Sequence, residues 1–257
     1  MSDQFAATAM LFGQENLQKL KSRRVAVFGI GGVGGSCAEA LCRSGIGAID
    51  IFDGDIVDVT NINRQIIATL KTVGLNKVDV MLERLKDINP EVAVGAFKLF
   101  YLPENAEDVD LSVYDHVIDA VDAIPAKLEL VCRATALNVP IISSMGAACR
   151  LDPAALEVAD IYETSVCPLA RIMRSELRKR GVPALKVVYS KEPPVKPVSS
   201  PAQTPDSEYQ TPPPSPPLIP NSEFRIHRPL RLPSNAFVPP AAGLLLAAEV
   251  VKDLLIM

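Results

Sequence analysis

The sequence predicts an α/β protein with a doubly wound, mostly parallel sheet, and three observations carry that prediction. Short apolar, β-prone runs alternate with helix-period segments of a dozen residues. A glycine-rich turn, Gly29-Ile30-Gly31-Gly32-Val33-Gly34, joins the first such run to the first helix. The chain has 257 residues, 48% of them hydrophobic, enough for one large core with an extension.

The elements follow in order. Arg24–Gly29 reads as a buried strand, Gly32–Arg43 as a helix and Ala48–Asp53 as a second strand. The next helix, Asn76–Ile88, is ended by Asn89-Pro90, because the residue before proline avoids helical angles. Val92–Phe97 and Asp115–Ala120 are strands, Ala126–Leu137 a helix and Val139–Ser143 a further strand. Past Gly146 the pattern changes. A basic helix is expected over Ser165–Arg180, with Ser165 as N-cap and Gly181 as the residue just past its end. Leu185–Ser190 is a strand candidate. Residues 193–220 hold 11 of the 22 prolines, which fix φ and remove backbone donors, so a flexible, partly polyproline-II insert is expected there. Ala241–Leu255 closes the chain as an apolar helix, making the insert a long loop within a C-terminal extension.

Composition removes several classes. The net charge of −4 argues against a generic nucleic-acid coat. The average is uneven, however: residues 1–160 carry 14 basic and 22 acidic side chains, residues 161–257 carry 12 and 8. The N-terminus lacks a secretory pattern, and the most apolar stretch, Phe237–Met257, is too short and charged to span a bilayer, so no membrane is expected and the chain reads as cytoplasmic. Five cysteines with no C-x-x-C spacing disfavour a disulfide framework or a four-cysteine zinc site. His116 and His227 are isolated, and neither is expected to be catalytic.

Gly29–Gly34 fits G-x-G-x-x-G between a strand and a helix, where glycines let backbone N–H groups approach phosphate oxygens at the helix start. Asp53 lies about twenty residues on, where a ribose hydroxyl would sit. The motif alone admits NAD or ATP; the absence of G-x-x-x-x-G-K-[ST] excludes a P-loop ATPase. Asp53-Gly54-Asp55 leads into Thr60-Asn61-Ile62-Asn63-Arg64-Gln65 and then Lys77. Two cations, Arg64 and Lys77, suit a triphosphate gaining charge as its α–β bond breaks better than they suit an NAD dehydrogenase. Asp119 and Asp122 end the fourth predicted strand, at the sheet edge where ligands bind, and a carboxylate there would hold Mg²⁺.

GIGGVG, D-G-D, T-N-I-N-R-Q, V-G-x-x-K and V-I-D-A-V-D together resemble the ubiquitin-activating-like (ThiF/MoeB/HesA) adenylating superfamily. LFG at Leu11–Gly13, INP at Ile88–Pro90, LDP at Leu151–Pro153, VADI at Val158–Ile161 and SVCPLARIMRSELRKRG at Ser165–Gly181 look most like its tRNA threonylcarbamoyladenosine dehydratase branch. The resemblance covers roughly residues 10–192, with a weaker echo at Phe237–Leu254. It implies a Rossmann-like adenylation domain over 1–160 and a substrate-side extension over 161–257. By position, Gly29, Gly31, Gly32 and Gly34 would line the phosphates, and Asp53 and Asp55 would belong to the ATP site with Asp53 on the ribose. Asn61, Arg64 and Lys77 would contact the phosphates, with Arg64, Lys77 and Asp122 serving catalysis and Asp122 holding Mg²⁺. The implied reaction activates a carboxylate beside the tRNA anticodon as an acyl-adenylate, after which an internal nucleophile displaces AMP and closes a ring. The resemblance also implies a homodimer and a possible sulfur-relay partner. Where some members place an arginine before LFG that reaches the partner's nucleotide, this chain has Met10.

Rival readings within reach are an activator of a ubiquitin-like sulfur-carrier C-terminus, an NAD-dependent oxidoreductase, a thioester enzyme using Cys167, and a non-catalytic scaffold. The basic segment favours a tRNA substrate. Arg171, Arg174, Arg178, Lys179, Arg180, Lys186 and Lys191 lie close together, opposed there by Glu176 alone, and Arg171, Arg174 and Arg178 share one helix face suited to a phosphate backbone. Cys37 and Cys42 are expected in the core.

Overall fold

The computed structural model of the chain describes residues 3–196 and 232–256. Most of the expected insert, and His227, lie outside the described residues. Seven strands form one sheet: β1 (Arg24–Phe28), β2 (Ala48–Phe52), β3 (Ala93–Phe97), β4 (His116–Asp119), β5 (Ile141–Ser144), β6 (Leu156–Asp160) and β7 (Lys186–Ser190). Their order is β3-β2-β1-β4-β5-β7-β6, all parallel except the β7–β6 pair. The doubly wound, mostly parallel prediction therefore holds, and β1 and β4 flank the point where the strand order reverses, the usual ligand crevice.

The helices are α1 (Ala6–Phe12), α2 (Gln14–Lys21), α3 (Gly32–Arg43), α4 (Lys77–Ile88), α5 (Ile124–Ala136), α6 (Pro168–Lys179) and α7 (Val238–Ile256). The strand registers align Phe28 with both Phe52 and Asp119, and Asp119 with Ser143. The carboxyl ends of four strands thus form one row, and the loops leaving them share one edge. Phe28, Phe52 and Phe97 stack across that row, with ring centroids 4.4 and 4.5 Å apart.

Three features differ from the sequence reading. α1, α2 and β6 were not anticipated, and β6 makes the outer edge antiparallel. The basic helix starts at Pro168 with Cys167 as its N-cap, not at Ser165, because Val166 adopts a positive φ that turns the chain between them. Its end is as expected: Gly181 N–H bonds the Arg178 carbonyl and Val182 N–H bonds that of Leu177, closing the helix through a glycine in the left-handed region. The boundary expected at residue 160 falls between β6 and β7, which are neighbours in one sheet.

α7 is apolar nearly all round because it is a core helix. Ala242, Leu246, Val250 and Leu254 are buried in the same cluster as Ile30, Leu41, Ile51 and Met81. Polar contacts fix its far end: Asp253 accepts from His116 Nε2 at 3.2 Å and Lys186 Nζ at 2.6 Å. The His116 hydrogen bond, more than Lys186, holds the Asp253 carboxyl below its usual range against the opposing effect of burial. A depressed carboxylate stabilises the fold above its unfolded pKa of about 3.9, and that contribution disappears as pH falls through the folded value. Asp253→Asn should therefore lower the thermal midpoint at pH 7, with the gap to wild type closing in acid below about pH 4. An equal gap at both pH values would refute this.

Candidate nucleotide site

The phosphate loop is built by two glycines that tolerate no replacement. Gly29 has φ +87°, and a β-carbon there would lie 2.6 Å from the Ala120 carbonyl oxygen. At Gly34 a β-carbon would lie 1.8 Å from the Gly29 carbonyl oxygen. The loop consequently folds tightly onto the turn after β4 and delivers the start of α3 to the crevice. Gly31 is the N-cap of α3, and Gly35 N–H bonds the Gly31 carbonyl at 3.0 Å. The N–H groups ahead of Gly35 have no acceptor within the helix, as at any helix start, and face outward for an anion.

Asp53 supports this loop from the end of β2. Its Oδ2 accepts from Ile30 N–H at 2.7 Å, its Oδ1 accepts from Asp55 N–H at 2.8 Å, and Lys77 Nζ stands 3.6 Å away. Burial raises the Asp53 pKa, while Lys77 and the two backbone donors act in the opposite sense. Lys77, at the first turn of α4, is buried and pairs with Asp55 at 2.9 Å. An antiparallel bridge between Ile56 and Asn76 brings the two segments together. Asp53, Asp55 and Lys77 are thus one charge cluster beside the glycine turn.

The segment 58–65 covers the turn from the other side. Asp58 caps a short 3₁₀ helix at Val59–Asn61, and Asn61 Oδ1 returns a bond to Asp58 N–H. Asn61 Nδ2 has no acceptor among the described residues. Arg64 folds back in its own loop, donating from Nη1 to the Thr60 carbonyl at 2.9 Å and Asn63 Oδ1 at 2.8 Å. The Arg64 Cγ lies 3.4 Å from where a Gly32 β-carbon would be, and Pro239 at the start of α7 lies 3.1 Å from it. Gln65, in the quoted motif but given no role by the sequence reading, is buried with its Nε2 3.9 Å from the corresponding point at Gly31, and its Oε1 has no partner among the described residues. A buried amide left unpaired costs about 1–3 kcal/mol, so it points to a ligand or an ordered water. A polar residue inside a run of Asn and Arg gave no sequence signal of that burial.

The two carboxylates after β4 separate clearly. Asp119 is fully buried: it pairs with Lys127 Nζ at 2.9 Å and accepts from Ser143 Oγ at 2.5 Å and from Val121 N–H at 3.2 Å. It cannot serve as a metal ligand without breaking that cluster, which corrects its expected place beside Asp122. Asp122 is exposed and makes no hydrogen bond or ion pair among the described residues. No group of three or more metal-binding side chains occurs among the described residues. One free carboxylate suits Mg²⁺, which keeps most of its ligands as water and phosphate oxygens.

The basic helix lies outside this cluster and is less free than its sequence suggested. Arg174 donates from Nη1 to the Thr164 carbonyl at 2.6 Å and to the Thr164 hydroxyl. Lys179 and Arg180 both pair with Glu176, Lys186 pairs with Glu249 and Asp253, and Lys191 pairs with Glu157. Glu176 is the one acidic residue within the segment, and the further carboxylates that oppose it come from elsewhere in the fold. Arg171 is exposed, and Arg178 lies 5.2 Å over the Tyr162 ring. Cys167 is 2% exposed, and all five cysteines are free thiols, with burial pushing Cys42 up to about 11 and Cys37 higher still.

Fold and site together define a nucleotide-binding α/β protein whose phosphate loop is flanked by cations. The chain belongs to the ThiF family, whose model matches residues 5–255. It is 42% identical to the tRNA threonylcarbamoyladenosine dehydratase of Bacillus subtilis, over 99% of this chain and 96% of that protein. The structure of the Escherichia coli tRNA N6-threonylcarbamoyladenosine dehydratase in complex with ATP superposes with a TM-score of 0.79 at 30% identity, covering 99% of this chain and 94% of that one. The Pyricularia oryzae adenylyltransferase and sulfurtransferase uba4 is 30% identical over 73% of this chain, but only 36% of its own length is matched.

Proposed function

We propose that this chain is an ATP-dependent dehydratase that adenylates the carboxylate of tRNA threonylcarbamoyladenosine and cyclises it. The observation that carries the reading is the placement of Arg64 and Gln65 against the α3 N-terminus, with Asn61 in the same loop and Lys77 beside Asp53, in a chain so similar to named dehydratases along its whole length. The carboxylate oxygen attacks the α-phosphorus, the α–β bond breaks and pyrophosphate leaves. An internal nucleophile of the side chain then attacks the activated carbonyl, AMP departs with the carboxylate oxygen, and the ring closes with net loss of water.

In this reading the first-turn N–H groups of α3, with Asn61 Nδ2, Arg64 and Lys77, offset charge on the bridging oxygens as it develops. Asp53 accepts from the ribose with its remaining lone pairs while fixing Ile30. Asp122 would hold Mg²⁺, which supplies further positive charge against the phosphates when bound. Residues 1–160 hold the nucleotide cluster, and 161–257 add the basic helix on the substrate side, within one sheet. The proposal extends to a homodimer in the cytoplasm, supported by Met10 and Leu11 being 90% and 79% exposed, and, on family resemblance alone, to a sulfur-relay partner. A thioester role for Cys167 is disfavoured by its burial.

The deciding experiment incubates the protein with ATP, Mg²⁺ and tRNA with or without threonylcarbamoyladenosine, then weighs the digested nucleosides. Loss of one water from the modified nucleoside, with AMP formed, supports the assignment. AMP formed only when a carrier protein is supplied would replace it with the sulfur-carrier reading.

The two exposed arginines of α6 carry a separate expectation. Arg171→Glu combined with Arg178→Glu should weaken tRNA binding about tenfold at low salt and flatten the salt dependence by about one unit of slope per lost phosphate contact, with ATP binding unchanged. Arg174 is left intact because its bonds to Thr164 make it part of the fold. Equal affinity and slope in the variant would make this helix a merely solvated face.

A further inference from the structure

The loop leaving β5 contains an arginine that neither the fold nor the nucleotide site uses. Arg150 is 3% exposed. Its Nη1 donates to the Cys149 carbonyl at 3.2 Å, its Nε has no partner, and it forms no ion pair among the described residues. Its charge reaches Glu192, but that carboxylate is engaged elsewhere: Oε2 accepts from Leu151 and Asp152 N–H at 2.9 and 3.0 Å. Those contacts, the one from Asp152 first, lower the Glu192 pKa more than Arg150 does. A guanidinium stays charged at any physiological pH, so an enclosed one whose nearby carboxylate is hydrogen-bonded elsewhere is a standing cost to stability. Such a group is retained where an anion arrives to pair with it.

Its position says which anion. The Arg150 carbonyl accepts from Asn235 Nδ2 at 2.6 Å, and the adjoining Ser234 carbonyl accepts from Asn63 Nδ2 at 3.1 Å. Asn63 Oδ1 in turn holds Arg64 at 2.8 Å. Three hydrogen bonds and one peptide link therefore join the backbone of Arg150 to the cation assigned to the phosphates. Arg150 also follows β5, on the side of β4 away from β1 and β2, whose loops make up the nucleotide cluster. The loop that carries Arg150 therefore borders the crevice between β1 and β4 from the side opposite the nucleotide cluster.

We propose that Arg150 is the receptor for the substrate's carboxylate, pairing with the threonylcarbamoyl side chain before it is adenylated. The inference rests on the function proposed above and names the residue that recognises its acyl group. A planar guanidinium matches a carboxylate through two parallel hydrogen bonds.

The test measures equilibrium binding, without ATP, of one tRNA with and without the threonylcarbamoyl group. Arg150→Gln should weaken binding of the modified tRNA at least tenfold while leaving the unmodified tRNA and ATP affinities unchanged. Its thermal midpoint should equal or exceed that of wild type, because an unpaired buried charge is gone; a purely structural arginine would lower it. Arg150→Lys, which keeps the charge but not the planar fork, should lose several-fold in the same selective way and serves if the glutamine variant misfolds. Equal losses on both tRNAs would place the charge on a backbone phosphate, and a loss of ATP affinity would place it on the nucleotide; either overturns the proposal. Unchanged binding in a protein that still converts the modified tRNA would remove Arg150's role and leave the activity standing. A wild-type protein that neither discriminates nor converts would remove both.

Discussion

Arg64→Ala should slow ATP–pyrophosphate exchange about 10²–10³-fold, the effect of about 3–4 kcal/mol typical of removing one charge-stabilising donor from a preorganised site. The protein should remain folded. In the structure Arg64 bonds only within its own loop, to the Thr60 carbonyl and Asn63 Oδ1, so its loss removes no core contact. Those bonds hold the guanidinium on its own loop, with the Arg64 Cγ beside Gly32, and leave its other N–H groups for a phosphate. Parallel measurement of exchange rate and thermal midpoint separates the cases. Exchange at the wild-type rate would remove Arg64 from the active site, and a collapse of the midpoint would reclassify it as structural.

Lys127→Met should have the largest effect on stability. Lys127 and Asp119 are both essentially inaccessible, and removing one member of a buried pair strands the other, at a cost of about 3–5 kcal/mol. In a domain of this size that corresponds to a midpoint lower by roughly 6–20 °C. Replacing both, as Lys127→Met with Asp119→Leu, should recover much of the loss, because no charge is then stranded. Nucleotide binding should suffer in both variants. Asp119 holds Val121 N–H, and the adjacent Ala120 carbonyl is what Gly29 packs against. A single variant as stable as wild type would contradict the assignment of a charged pair.

Much of this architecture was legible because it is local. The strand, glycine turn and helix from Arg24 to Arg43 are specified by contiguous residues with strong backbone preferences, and the structure places them within a residue or so. The unread parts depend on distant partners. β6 is Leu-Glu-Val-Ala-Asp, poor in β-prone residues, and is a strand because β7 pairs with it from thirty residues on. Lys127 reads as an ordinary helix lysine until the fold sets it against Asp119 and Ser143. The basic segment misled in the opposite direction: its spacing is visible, but Thr164, Glu157, Glu249 and Asp253 neutralise or pin its members from outside the helix. For the candidate site, sequence supplied the residue types, while their burial and pairing, which distinguish Asp119 from Asp122, came from tertiary structure.

The Cys149 backbone binds both the departing and the returning chain: Val195 N–H donates to its carbonyl at 2.9 Å, and its own N–H donates to the Pro233 carbonyl at 2.8 Å. Both ends of the segment between those anchor points are thereby fixed to one residue of the scaffold. With the ends held in this way, closing a longer excursion costs only about 0.6 kcal/mol per doubling of its length, so the entropy of joining β7 to α7 depends weakly on how many residues lie between them.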